Sequence, residues 1–230
     1  MSSTGLYNFN PAAANLTLVA FGRIGIRRGE ILTQHMADAD NEANLLQVEM
    51  SNKNPNMWRS ELYTQALTAG TATYTLPARL IAMQAAYITT NSGGTSTDRI
   101  IWPLSAFEYA ALPNKTTQAP PTTYWYNRQI TPTITLWQVP DSAATYTLNL
   151  RICSQIQDAS QASGTTLDMP FRFLDVYVAG LAHRLARIYA PDKEIARKQD
   201  YMDAWVNAAS QDTDDQVSLY VVPATQSYWR

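Results

Sequence analysis

One thiol, two imidazoles and scattered carboxylates are what this 230-residue chain offers to nucleophilic, metal or acid–base chemistry. Cys153 lies in a run of alternating residues, on the face of Asn149 and Arg151, and reads as a bystander, not a nucleophile. With one cysteine and two histidines no Cys-based zinc site is expected. His35 opens a predicted helix and His183 sits beside Arg184 in another. Neither has a partner at metal spacing, so hydrogen bonding at the surface or between helices is expected. Glycoside cleavage needs two carboxylates. Asp38, Asp40 and Glu42 cluster as a solvated helix face, and Asp200 and Asp203 stand beside Arg197 and Lys198 as helix-surface ion pairs. No catalytic, cofactor-binding or metal-ligating residue is assigned, and no cofactor is implied. The glycines in 21–25 follow no strand and lack a phosphate loop's spacing. Arg23, Arg27 and Arg28 form the one tight basic cluster. A subunit contact or a solvated loop fits it better than a phosphate-facing role in a channel. Tyr124, Trp125 and Tyr126 are consecutive, so in a strand they point to alternate sides, as core plus interface.

The elements that would position these residues fall into zones. Helices are expected at 15–26 and from an N-cap at Thr33 up to Asn54-Pro55. Met36, Ala39, Ala43, Leu46 and Met50 form the second helix's apolar face. Residues 56–167 read as strands and turns, with 20 threonines, whereas none occurs between Leu167 and Asp212. Strand candidates are 73–76, 85–90, 99–102, 122–128, 133–139 and 144–156, with a turn at 91–94 and a short helix at 105–112. In 144–156, Tyr146, Leu148, Leu150 and Ile152 face inward. Asp168 is the expected cap of a helix with Phe171, Leu174, Val178, Leu181, Leu185 and Ile188 as its stripe. Pro191 breaks it, and Asp192 is placed to cap a second helix with Ile195, Met202, Val206 and Ala209 inward. The fold class is α+β. Both chain ends (11–55 and 168–211) supply an antiparallel helical bundle, 56–167 form an inserted antiparallel β-sandwich or barrel-like domain, and 212–230 form an extended C-terminal arm. The arm carries Val217, Leu219, Tyr220, Val221 and Val222, then Tyr228 and Trp229. These either fold back on their own domain or dock on a neighbour by strand addition.

Hydrophobic residues make up 46% and charged residues 16%, a globular composition of low charge. The net charge of -2 carries no basic surplus of a dedicated nucleic-acid binder. Residues 1–10 lack a signal peptide's layout, and no stretch approaches the roughly 20 apolar residues of a membrane span. A soluble protein made in a cytoplasm is therefore expected, with no membrane partner.

The order of several stretches resembles the head-to-tail adaptor (connector, tail tubular-like) proteins of short-tailed phages. They are Thr-Tyr-Thr-Leu-Pro at 73–77, Glu-Tyr-Ala at 108–110 with Asn114-Lys115, and 121–129 continuing through Leu-Trp-Gln-Val-Pro-Asp at 136–141. The helix with 179–186 and then Tyr-Ala-Pro at 189–191 completes them. The likeness runs over about 12–211. It implies a structural, non-enzymatic virion protein at the head–tail junction, with twelve copies in a ring beneath the portal protein and a tail-side surface for the next tail component. It also implies transient, non-specific contact with genomic DNA in the channel, which a near-neutral protein suits. The C-terminal segment of such proteins often reaches the portal, which gives the apolar residues of 217–229 a use. Some relatives are credited with cell-wall cleavage, but no catalytic motif carries over. A virion peptidoglycan hydrolase and a different neck or tail-tube ring subunit are the alternatives.

Overall fold

The computed structural model describes residues 5–53, 57–161 and 164–212. Five α-helices and two four-stranded sheets are found among them. The class is α+β.

The helices come from the two ends of the chain. Helix α1 (Ala13–Ile24) buries Leu16, Ala20, Phe21 and Ile24 at helical spacing. Helix α2 (Thr33–Lys53) buries Ala39, Ala43, Leu46 and Met50, as expected, with Met36 partly buried. The short α3 (Ala106–Ala111) belongs to the β part. Its capping box is complete: Ser105 Oγ accepts from Glu108 N, and Glu108 Oε2 accepts from Ser105 N. Helix α4 (Leu174–Tyr189) is central and almost wholly buried, and α1, α2 and α5 (Glu194–Ala209) each pack on it. At Gly180 of α4, an added Cβ would lie 2.8 Å from Leu46 Cδ1 and 2.9 Å from Tyr201 Cε2. The absence of a side chain there lets α2 and α5 close on α4 at one level.

Four expectations about these helices are corrected. Asp168 does not cap α4; a 3-10 turn (Phe171–Phe173) behind Pro170 leads into it. Asp168 Oδ2 instead accepts from Arg59 Nη1 at 2.6 Å. The stripe of α4 holds at Leu174, Val178, Leu181 and Leu185, but Phe171 is 78% exposed and Ile188 is half-exposed, because both lie at its ends. Helix α5 is turned over. Ile195, Met202 and Val206 face outward, while Tyr201 and Ala208 are buried and Trp205 packs on the core. Two aromatics one turn apart bury more area than the aliphatic set and win the inner face. Asp192 lies in a 3-10 turn (Pro191–Lys193) and makes no cap.

The strands are β1 (Ser60–Ala66), β2 (Thr73–Thr75), β3 (Leu80–Ser92), β4 (Thr95–Ile100), β5 (Trp102–Leu104), β6 (Thr123–Asn127), β7 (Thr133–Trp137) and β8 (Thr145–Ser154). They form sheets of order β1-β8-β3-β4 and β2-β7-β6-β5, antiparallel except for β5 beside β6. The sheets have free edges, so no closed barrel forms. Residues of both sheets share one core, including Ile88, Leu148, Leu150, Ile134 and Leu136. Gly93 and Gly94, both at positive φ, make the two-residue turn between β3 and β4. The inner face of β8 is as expected, with Tyr146, Leu148, Leu150 and Ile152 buried. Its other face is not uniformly wet. Asn149 is buried and donates to Thr89 Oγ1 at 2.8 Å, and Cys153 is also buried. Strand β1, absent from the expected set, pairs along β8 as the edge strand of its sheet.

Candidate functional site

The side chains with chemical potential act mainly as ties between elements. On α2, Asp38 accepts from the Tyr189 hydroxyl of α4. Burial first, then the hydrogen bond to Asp38 and its charge, push Tyr189 up to about 12. Glu42 accepts from Arg184 Nη1 at 3.0 Å, and Glu49 from Arg184 Nη2 at 2.7 Å. Asp38 and Glu42 are thus engaged by two different residues of α4 and do not face one another as a carboxylate pair. Glu49 also pairs with Lys53 at 2.7 Å, whose ammonium donates to Tyr201 Oη and lies 4.3 Å from that ring's centre. Burial alone would raise Glu49, but its bonds from Lys53 and Arg184 outweigh that and hold it below its ordinary value. The result is a charged seam joining α2, α4 and α5 over a small groove that includes His183 and Met202.

His183 is buried, 3.4 Å from Arg187 and 3.6 Å from Glu194. Burial, and then the Arg187 charge, pull it below its ordinary value. It lies between α4 and α5, as an interhelix group should. His35 accepts from Leu32 N through Nδ1 at 3.1 Å and meets Tyr189 edge-on. Asp200 pairs with Arg197 at 2.9 Å, whereas Asp203 accepts from Gln199 and not from Lys198. Among the described residues no group of three or more His, Cys, Asp or Glu is arranged to hold a metal ion. No helix of the described residues is long and apolar enough to cross a membrane.

The basic cluster is split by the end of α1. Arg23 pairs with Asp175 of α4 at 2.5 Å. Past the helix end at Gly25, Arg27 and Arg28 stand exposed at the lip of an open groove of about 770 Å³. Lys193 Nζ donates to Ile24 O at 2.7 Å, so a cation from the α4–α5 turn completes the C-terminus of α1. The groove floor is apolar, formed by Leu18, Val19, Gly22 and Ile26.

The aromatic triplet on β6 divides as alternation requires. Tyr124 is buried, Trp125 stacks on Tyr109 of α3 with centroids 5.5 Å apart, and Tyr126 carries the Arg128 guanidinium over its ring. Tyr124 and Tyr126 line an apolar groove with Ile100 and Trp102, open to solvent between the sheets.

Large apolar side chains in contact with solvent were not anticipated. Leu6, Tyr7 and Phe9 are exposed, Tyr7 at 98%, and Tyr7 and Phe9 line a shallow groove with Phe171 and Asp175. The outer face of α5 adds Ile195 at 83%, Met202 and Val206. The clue to α5 was the spacing of Tyr201, Trp205 and Ala208. The composition of 5–10 held no comparable clue, since exposure is decided by what lies nearby. The arm residues Val217, Leu219, Tyr220, Val221, Val222, Tyr228 and Trp229 lie outside the described residues. The chain reaches them from Asp212, which accepts from Arg172 at the base of α4.

The described surface carries several apolar faces and grooves, while a number of its charged groups tie helices together. That is the character of an assembly part. No curated protein matches the chain. A family model described as SU10 adaptor protein matches residues 13–226, nearly all of both the helical and the β part. The order of motifs from 73 to 191 and this match agree, and the chain belongs to the SU10 adaptor protein family, a phage head-to-tail adaptor.

Proposed function

We propose that this protein is a non-enzymatic virion subunit that closes a ring of about twelve copies beneath the portal, joins capsid to tail and lines the channel through which DNA leaves. In this reading α1, α2, α4 and α5 form a helical bundle from both chain ends. The two sheets form an inserted domain that offers a surface to the next tail component. The family match over residues 13–226 carries the proposal. Two further observations support it. Three carboxylates of α2, Asp38, Glu42 and Glu49, are engaged in fastening it to α4. Large apolar groups stand exposed on several faces, as in a subunit awaiting neighbours. The near-neutral charge suits a conduit, since few fixed cations would hold passing phosphates.

The C-terminal arm, with Val217, Leu219, Tyr220, Val221, Val222, Tyr228 and Trp229, is assigned to the portal. Ordering a terminal segment only on contact makes assembly sequential, because the entropic cost is met only when the partner is present. Native mass spectrometry of the protein, alone and mixed with the portal ring of the same genome, tests the proposal. A ring of twelve copies seated on the portal is the expected result. Rings that ignore the portal would assign the protein to another neck or tail position.

A further inference from the structure

Helix α5 presents two apolar faces. The inner one, with Tyr201, Trp205 and Ala208, packs on the core. The outer one, with Ile195, Met202 and Val206, is left open among the described residues, Ile195 at 83% and Val206 at 64% exposure. These three residues fall on one stripe, roughly three turns or about 16 Å long. Stable monomers seldom leave such a stripe on a charged helix. Asp203 lies along one flank of the stripe and Lys198 along the other. Within its own chain Asp203 accepts from a neutral amide, that of Gln199.

The groove on α1 has the complementary character. Its floor is Leu18, Val19, Gly22 and Ile26, and its lip carries Arg27 and Arg28. Gly22 faces solvent, and a Cβ built there meets nothing within 4 Å, so a partner helix can approach the backbone of α1 closely. On α1, Val19 and Gly22 are three residues apart and Leu18 and Gly22 four apart, the spacings of helix-packing rows, while Ile26 lies past the helix end. Arg23 at the groove's edge pairs with Asp175, which lines the aromatic patch of Tyr7, Phe9 and Phe171. The α1 groove has a basic lip; the α5 stripe is apolar, with Asp203 on one flank and Lys198 on the other. Both belong to helices packed on α4 by their other faces.

We infer that the partner in the α1 groove is the α5 outer stripe of a second copy of this chain, with Asp203 of one copy against Arg27 and Arg28 of the next. This rests on the ring reading above and deepens it: it names the two unlike faces through which neighbours meet. It also gives the arginine cluster to a subunit contact and not to the DNA channel.

Unlike faces make a decisive test possible. The double variant Met202→Lys with Val206→Lys blocks the stripe and leaves the groove intact. The double variant Val19→Lys with Gly22→Lys blocks the groove and leaves the stripe intact. All four positions are at the surface, and unchanged melting temperatures of the two variants verify their folds. Native mass spectrometry on the portal ring is expected to find no closed ring of either variant alone. Mixed in equal amounts without the portal, at concentrations where the wild type self-associates or at the highest attainable, they are expected to give a heterodimer that grows no further. One good contact remains in such a mixture, between an intact stripe and an intact groove. If the stripe variant fails and the groove variant still forms rings, the stripe meets some other surface, and the pairing is overturned. If both variants close rings as the wild type does, the pairing is overturned and the ring reading stands. A wild type that forms no ring, alone or on the portal, overturns the ring reading and the pairing with it.

Discussion

Arg184 and Lys53 grip one carboxylate from two sides, and Glu49 thereby joins three helices. Its proton is held more weakly in the folded chain than in the unfolded one, since its folded value lies below the ordinary 4.5. The sign follows: the unfolded state binds more protons between the two values, so stability rises with pH through that window. The contribution is complete above about pH 4.5 and fades as pH falls through the lower folded value. Glu49→Gln is expected to lower stability at pH 7 and to show a smaller difference at pH 3. Urea denaturation of both proteins at the two pH values measures it, and an equal difference at both would contradict the assignment. Such ties were only partly legible in the sequence. Asp200 with Arg197 is a local pair that helix spacing predicts, whereas Arg184 with Glu42 and Glu49 spans more than 130 residues. A long-range ion pair leaves no periodic trace, so Glu42 read as solvated.

Element types were the most readable level, because periodicity reports the local environment of a helix or strand directly. The inner faces of α2 and β8 followed from spacing alone, and so did the strands β6 and β7. The short α3 was legible through its punctuation: Ser105 and Glu108 form the capping box, and the helix holds Tyr109 against Trp125. Ser105→Ala is expected to cost about 1 kcal/mol, paid locally as fraying. Faster amide hydrogen exchange over 106–111 with little change in the global melting temperature would register it. Helix α5 was read with its wrong face inward, since both faces are apolar and the period cannot say which one the core takes. The same ambiguity hid its outer stripe. Strand β1 escaped because its sequence, Ser-Glu-Leu-Tyr-Thr-Gln-Ala, is mostly exposed in the structure and shows little apolar alternation. It is held at an edge by pairing with β8, a contact made across the chain.

For the whole molecule, the two parts are joined where Arg59 reaches both Asp168 and the Gln155 carbonyl, each at 2.6 Å. The helices end near the same region, with Arg172 holding Asp212 just before the C-terminal segment. In the arm reading that segment serves the portal and not the fold. Removal of 217–230 is therefore expected to leave the melting temperature unchanged and to abolish attachment to the portal ring, read by co-sedimentation. Normal attachment of the shortened chain would take the portal role away from the arm. The class and the order of parts were legible from the two textures of the sequence, helical at both ends and threonine-rich between. Partner surfaces were not, because exposure depends on distances between elements that no local pattern records. The close approach at Gly180 bears on a different kind of quantity. It sets how tightly α2 and α5 lean against α4. In a ring closed by the outer faces of α1 and α5, the tilt between those faces divides the full circle into equal steps. The number of subunits is then written in an angle and not in any single contact. A slightly wider seat for α5 would leave each joint intact while changing how many joints complete the circle.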